Sequence, residues 1–256
     1  VTVDAAVILI KAGSAALLRG SSTAAKSNEV LVNVMRSAIT SVGLPADIVQ
    51  LVSSHDRSTV RELLNARGLV DLVIPRGSAA LIRTVVDESS VPTIETGAGV
   101  CHVYIDKDAD FKKAIPIIIN SKCHRPSVCN AAETLLVHQD VSAEFLPMAL
   151  KALDEQGVRL HGDAQAIQIA KSCNVEMVLA TEEDWSTEYG TLEMNVGIVA
   201  NRKSANDHIN KYGTQHTESI VTESQSTAAA FIANADAAAI MVNASTRFTD
   251  GEQMGF

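Results

Sequence analysis

Apolar residues recur along the chain in two alternating patterns. Runs at 15–18, 48–52, 70–74 and 91–94 have the length of buried strands, and stretches of helical spacing lie between them. Residues 3–11 read as a short apolar helix ended by Gly13. Residues 27–42 place Val30, Val34, Ala38 and Val42 on one helical face, with Gly43 and Pro45 as stop signals. Residues 56–66 form a polar amphipathic helix closed by Gly68, and a helix at 79–87 follows Pro75, Arg76, Gly77 and Ser78. Strands and helices alternating through short connections predict a parallel sheet covered by helices.

The character changes at Glu95-Thr96-Gly97-Ala98-Gly99, a joint punctuated by glycine. Beyond it the pattern predicts strands at 101–105, 133–138, 158–161, 175–180, 194–199, 219–222 and 239–242. Helices are expected at 108–120 (bent by Pro116), 142–156, 163–171, 204–212 and 227–233, while 123–130 is polar and without a period. Two α/β domains are therefore expected, over residues 1–97 and 98–256.

Composition narrows the function classes. Hydrophobic residues make up 46% of the chain and the mean hydropathy is +0.13, enough apolar material for a core and too much for a disordered chain. The longest apolar runs, such as 5–10, fall far short of the roughly 20 residues of a membrane helix, so no membrane span is expected. Lys and Arg number 21 against 30 Asp and Glu, a net charge of −9. With aromatics at only 4%, nucleic acid is not an expected partner. An anionic small molecule would need a local cluster of donors working against that field. The four cysteines form no CxxC pair and no disulfide framework, which points to a reducing, cytoplasmic setting. The chain opens without Met or a signal-peptide layout and stops at Gly-Glu-Gln-Met-Gly-Phe, so a fragment is expected.

Three places could carry chemistry. Cys129 lies in Lys-Cys-His-Arg-Pro-Ser-Val-Cys-Asn, a polar segment with Lys122, His124 and Arg125 upstream. Cations and backbone N–H groups there would favour a reactive thiolate, and a buried structural cysteine is the alternative. A zinc site using Cys123, His124, Cys129 and His138 fits no standard ligand spacing. Pro75-Arg76-Gly77-Ser78 joins a strand to a helix, a turn that can present N–H groups to phosphate or be only a turn. Arg19-Gly20-Ser21-Ser22 follows the strand at 15–18 with no acid nearby. Such a loop suits a ribose 2′-phosphate, or is merely a solvated loop.

The segments LVDLVIPRGSAAL, VPTIETGAGVCHVYIDKDADFKKA, NSKCHRPSVCNAAETLLVH, KYGTQHTESIVTE and VNASTRFTDGEQMGF together resemble the γ-glutamyl phosphate reductases of the aldehyde dehydrogenase superfamily. The resemblance runs through essentially the whole chain. It implies an aldehyde dehydrogenase-like α/β fold: a partial Rossmann-like parallel-sheet cofactor domain plus an α/β catalytic domain, in a homo-oligomer. It also implies NADPH-dependent reduction of L-glutamate 5-phosphate to L-glutamate 5-semialdehyde with release of phosphate, through a cysteine thioester. Carried over by position, Cys129 is the nucleophile. Arg19 lies beside the adenosine ribose and favours NADP(H), Gly77 and Ser78 open the helix along the pyrophosphate, and Glu188 meets the nicotinamide ribose. Arg125, Ser245, Thr246 and Arg247 fall at the substrate. Glu95 aligns with the base of hydrolytic members and is read as structural. An aldehyde-oxidising dehydrogenase, or an inactive fragment that only binds or assembles, are the alternatives.

Overall fold

The computed structural model describes residues 2–52, 56, 58–77, 79–94 and 99–249. The chain divides into two compact units, Val1–Thr96 and Gly97–Phe256. In the first, α1 (Thr2–Lys11) leads through Gly13 into β1 (Ala16–Leu18), α2 (Ala25–Ser41) and β2 (Val49–Leu51). β1 and β2 pair in parallel, Ala16 opposite Val49 and Leu18 opposite Leu51, so α2 is the crossover helix of a βαβ unit. Ala6, Ala16, Val32, Ile39 and Val49 form its core.

The helical face expected to be buried on α2 is turned outward, and Val34 is 62% exposed. The helix is apolar on two faces, so spacing alone could not choose between them. Polar contacts choose instead. Arg36 donates to the carbonyl of Val49 at 2.9 Å and pairs with Asp47, while Asn28 accepts from the Thr2 hydroxyl. These contacts bring Val32 and Ile39 inward. After α3 (Ser58–Leu64), the described residues of the strands expected at 70–74 and 91–94 meet at one isolated bridge, Val73 with Thr93, while Val70 bridges Arg67. Pro92 has no N–H to extend a ladder, and Pro75 closes the other run. α4 (Ala79–Glu88) lies between them.

The second unit holds a seven-stranded, wholly parallel sheet. Its strands are β3 (Cys101–Ile105), β4 (Ala132–His138), β5 (Arg159–Gly162), β6 (Val178–Leu179), β7 (Glu193–Val199), β8 (Thr217–Val221) and β9 (Ala239–Val242). They lie in the order β6-β5-β7-β4-β3-β8-β9. β3 and β4 at the centre are buried along their whole length, as covering a parallel sheet on both faces requires. One face packs on α5 (Phe111–Cys123), α6 (Gln139–Glu155) and α7 (Ala164–Ser172), the other on α8 (Arg202–Tyr212) and α9 (Gln225–Asn234). Asp110, Asp163, Asn201 and Ser224 cap α5, α7, α8 and α9 through their side-chain oxygens. β6 is shorter than the 175–180 expected, because Val175 still belongs to the turn that ends α7, its N–H donating to Ala170.

His208 on α8 sits among the rings of His102, Trp185 and Tyr212, and its Nε2 has no hydrogen-bond partner among the described residues. Burial pushes its pKa down to about 3. The unfolded chain then binds the extra proton between the ordinary histidine value near 6.5 and about 3, so the fold loses stability as pH falls through that window. His208→Phe should make the acid-side fall of Tm shallower; identical slopes in a pH series of thermal melts would refute this account of His208.

Candidate active site

Cys129 lies in the loop between α5 and β4, and its side chain is exposed. The thiol of Cys101, the first residue of β3, donates to the Cys129 carbonyl at 3.3 Å. Gly99 packs on the same peptide: a Cβ at position 99 would overlap the Cys129 carbonyl and Cα. Among the described residues neither the Cys129 nor the Asn130 N–H has an acceptor. Two free backbone donors beside an exposed thiol are the arrangement an oxyanion at that carbon would use. Burial holds the Cys101 thiol well above its usual range, so it stays protonated as the loop's support.

Of the three upstream cations, His124 and Arg125 are exposed, His124 within reach of Arg247, and Lys122 is buried against Glu133. Lys122 is fully buried and pairs with Glu133 at 2.6 Å. Burial pushes Lys122 down and raises Glu133 to about 7. His124 Nδ1 lies 3.4 Å from Nε of Arg247. Arg247 itself is only 1% exposed and also donates from Nη1 to Asn130. Ser245 and Thr246 are equally buried: the Ser121 hydroxyl donates to Ser245 Oγ at 3.1 Å and accepts from the Thr246 N–H at 3.2 Å. The turn Thr246–Thr249 is thereby fastened to α5 and to the residue after Cys129.

Glu188 is exposed in the loop after β6; burial raises the pKa of Glu133 and lowers that of His216, and the Glu188 charge adds to the first shift and opposes the second. Its loop is anchored by Tyr189, whose hydroxyl lies 2.9 Å from both Asp184 and Asn195 and whose ring stacks on His161. Sequence reasoning passed over Gly99, Ser121, Asn130 and Glu133. Only the glycine-rich joint hinted at one of them, since the others acquire their roles through contacts far apart in the chain.

In the first unit Arg19 follows β1, and its Nε is buried without a hydrogen-bond partner among the described residues. Gly20 lies so close to Asn28 that a Cβ would overlap the amide. Gly77, at φ +155°, precedes α4 in a backbone conformation that side-chain-bearing residues rarely adopt. Ser78 and Glu95 lie outside the described residues.

The aldehyde dehydrogenase family model matches residues 1–179. A γ-glutamyl phosphate reductase of Thermobifida fusca is 53% identical over this whole chain, which covers 60% of that protein. The crystal structure of γ-glutamyl phosphate reductase from Thermotoga maritima superposes with a TM-score of 0.93 at 45% identity, over 100% of this chain and 61% of that one. An acetylating aldehyde dehydrogenase of Geobacillus thermoglucosidasius, 22% identical, shares the fold with a TM-score of 0.75 over 96% of this chain and 62% of that one. The chain thus spans about three fifths of the length of the relatives it matches. By its sequence and its parallel-sheet architecture, the chain belongs to the aldehyde dehydrogenase family.

Proposed function

We propose that this chain carries the nucleophile and part of the cofactor site of a γ-glutamyl phosphate reductase, which reduces L-glutamate 5-phosphate to L-glutamate 5-semialdehyde and releases phosphate. The observation that carries the reading is Cys129: an exposed thiol beside two unbonded N–H groups, on a loop fixed from beneath by buried polar contacts. Its setting is a chain about half identical to enzymes of that name.

In this mechanism the Cys129 thiolate attacks the γ-carbonyl. The N–H groups of Cys129 and Asn130 take the charge that develops on oxygen, and phosphate departs with the electrons of the broken C–O bond to leave a thioester. Once the acyl group is reduced, collapse of the hemithioacetal frees the aldehyde and returns the thiol. Arg125 is the exposed cation of the loop and is proposed to meet the anionic substrate. Ser245, Thr246 and Arg247, expected at the carboxylate, are assigned here the task of holding the loop, because all three are buried: the Ser245 and Arg247 side chains bond to Ser121, Asn130 and His124, and the Thr246 N–H donates to Ser121.

NADP(H) is the proposed cofactor, and when bound it supplies the two-electron reduction. Arg19 fits it: a buried guanidinium N–H with no acceptor among the described residues is what a ribose phosphate would satisfy. Gly77 and Ser78 would lie at the pyrophosphate, and Glu188 keeps the ribose role that the resemblance gives it. The reading places the protein in the cytoplasm as a homo-oligomer; among the described residues no helix is long and apolar enough to cross a membrane.

Arg19→Ala in the whole protein tests the cofactor assignment. A charge-assisted bond of this kind is worth roughly 1.5–3 kcal/mol, so kcat/KM for NADPH should fall about 10- to 100-fold with little change for NADH. Equal losses for both cofactors would remove Arg19 from the phosphate site.

A further inference from the structure

We propose that the buried Lys122–Glu133 ion pair is the positioning clamp of the Cys129 loop, setting the nucleophile for reaction; this rests on the reading of Cys129 given above. The two residues stand at the neck of that loop. Lys122 is in the last turn of α5, Glu133 is the second residue of β4, and Cys129 lies between them. Nζ of Lys122 is 2.6 Å from Oε2 of Glu133, and neither side chain reaches solvent.

Three features distinguish this pair from ordinary packing. First, a buried ion pair is a poor device for stability, because stripping water from both ions offsets most of their attraction; an apolar pair of similar size would hold the fold as well. Second, Glu133 sits at a break in register. Cys101 faces Ala132 and His102 faces Thr134, so Glu133 is the extra residue of β4. Bulges of this kind redirect one side chain and recur beside active sites. Third, the other carboxylate oxygen accepts from the Gly190 N–H at 3.4 Å, in the loop that bears Glu188. One carboxylate therefore joins the end of a helix, the start of a strand and a third loop by directional bonds, where apolar contact would leave them free to slide.

Lys122 and Glu133 are buried and act through Cys129, so they are positioning residues. The test compares Lys122→Met, Glu133→Gln and the double change Lys122→Met with Glu133→Leu in the whole protein. It reads Tm, the rate of Cys129 alkylation by iodoacetamide mapped by peptide mass spectrometry, and kcat with KM. Each single change strands a buried group and should lower Tm. The double change should restore Tm while Cys129 alkylation and kcat stay about tenfold or more below native, with KM moving less. Recovery of native alkylation and turnover in the double variant would overturn the proposal and leave the pair a packing element.

Should the double variant fail to fold, Glu133→Gln decides. It keeps the shape and an acceptor for Gly190, so alkylation slowed about tenfold supports the clamp and native alkylation refutes it. The alkylation rate reports the loop whether or not Cys129 is the nucleophile. A Cys129→Ser variant that kept turnover would overturn the earlier reading, and native-rate labelling in the pair variants would overturn this one.

Discussion

Cys129→Ser is expected to lower turnover of the whole protein by about 10⁴-fold or more, with little change in Tm. The size follows from chemistry: a serine hydroxyl at neutral pH is a far weaker nucleophile than a thiolate. The small effect on stability follows from position, because the Cys129 side chain is exposed and the loop is held by its backbone. Alkylation should separate Cys129 from Cys101 and Cys123 in the same way. Cys101 is buried with its thiol held protonated, and burial also raises Cys123, so neither should compete with Cys129 for a thiol reagent. Retained turnover in the serine variant, with fast labelling at another cysteine, would place the nucleophile elsewhere.

Gly99→Ala should be nearly as damaging, although position 99 carries no functional group. The added methyl would overlap the carbonyl and Cα of Cys129, and backbone cannot swing aside as the end of a flexible side chain can. Either the 99–100 segment or the Cys129 loop must move, and Val100 is held by its N–H bond to the Thr214 hydroxyl at 3.0 Å. The strain should cost about 1–3 kcal/mol of stability. Displacing Cys129 by even a fraction of an ångström to an ångström should cost about 10²-fold in kcat. Thermal melts and steady-state kinetics of the purified variant check both numbers. Native kcat in a folded Gly99→Ala protein would mean that the loop tolerates displacement and that its fixed position is unimportant.

Much of the architecture was legible because a parallel sheet buried on both faces leaves a strong local trace. β3, β4, β7 and β9 are apolar runs of strand length bounded by polar or turn residues, and the helices between them have caps that can be read directly. Legibility failed where a local pattern had two solutions. The outward face of α2 is as apolar as its inward one, and contacts with Thr2 and Val49 decide between them. The run at 70–74 has the composition of a strand, yet among the described residues it meets 91–94 only at the Val73–Thr93 bridge, beside Pro92.

Cys129, the proposed nucleophile, was visible as a cysteine in a polar loop, but its supports were not. Lys122 reads from the sequence as one of three cations beside a thiol, whereas in the fold its ammonium is buried against Glu133. Arg247 reads as a carboxylate anchor at the end of a strand, whereas its guanidinium turns inward to Asn130 and His124, more than a hundred residues away in sequence. Such contacts depend on how distant segments meet, and no local periodicity encodes them.

The central claim is that Cys129 carries the acyl group, and the reaction run in reverse tests it most directly. Whole protein mixed with glutamate semialdehyde and NADP⁺ without phosphate should accumulate an acyl thioester, because its phosphate acceptor is missing. Acid quenching and peptide mass spectrometry should then find a glutamyl adduct on the peptide containing Cys129, and inorganic phosphate added before the quench should discharge it. An adduct on Cys101, Cys123 or Cys173, or turnover with no covalent adduct at all, would contradict the account.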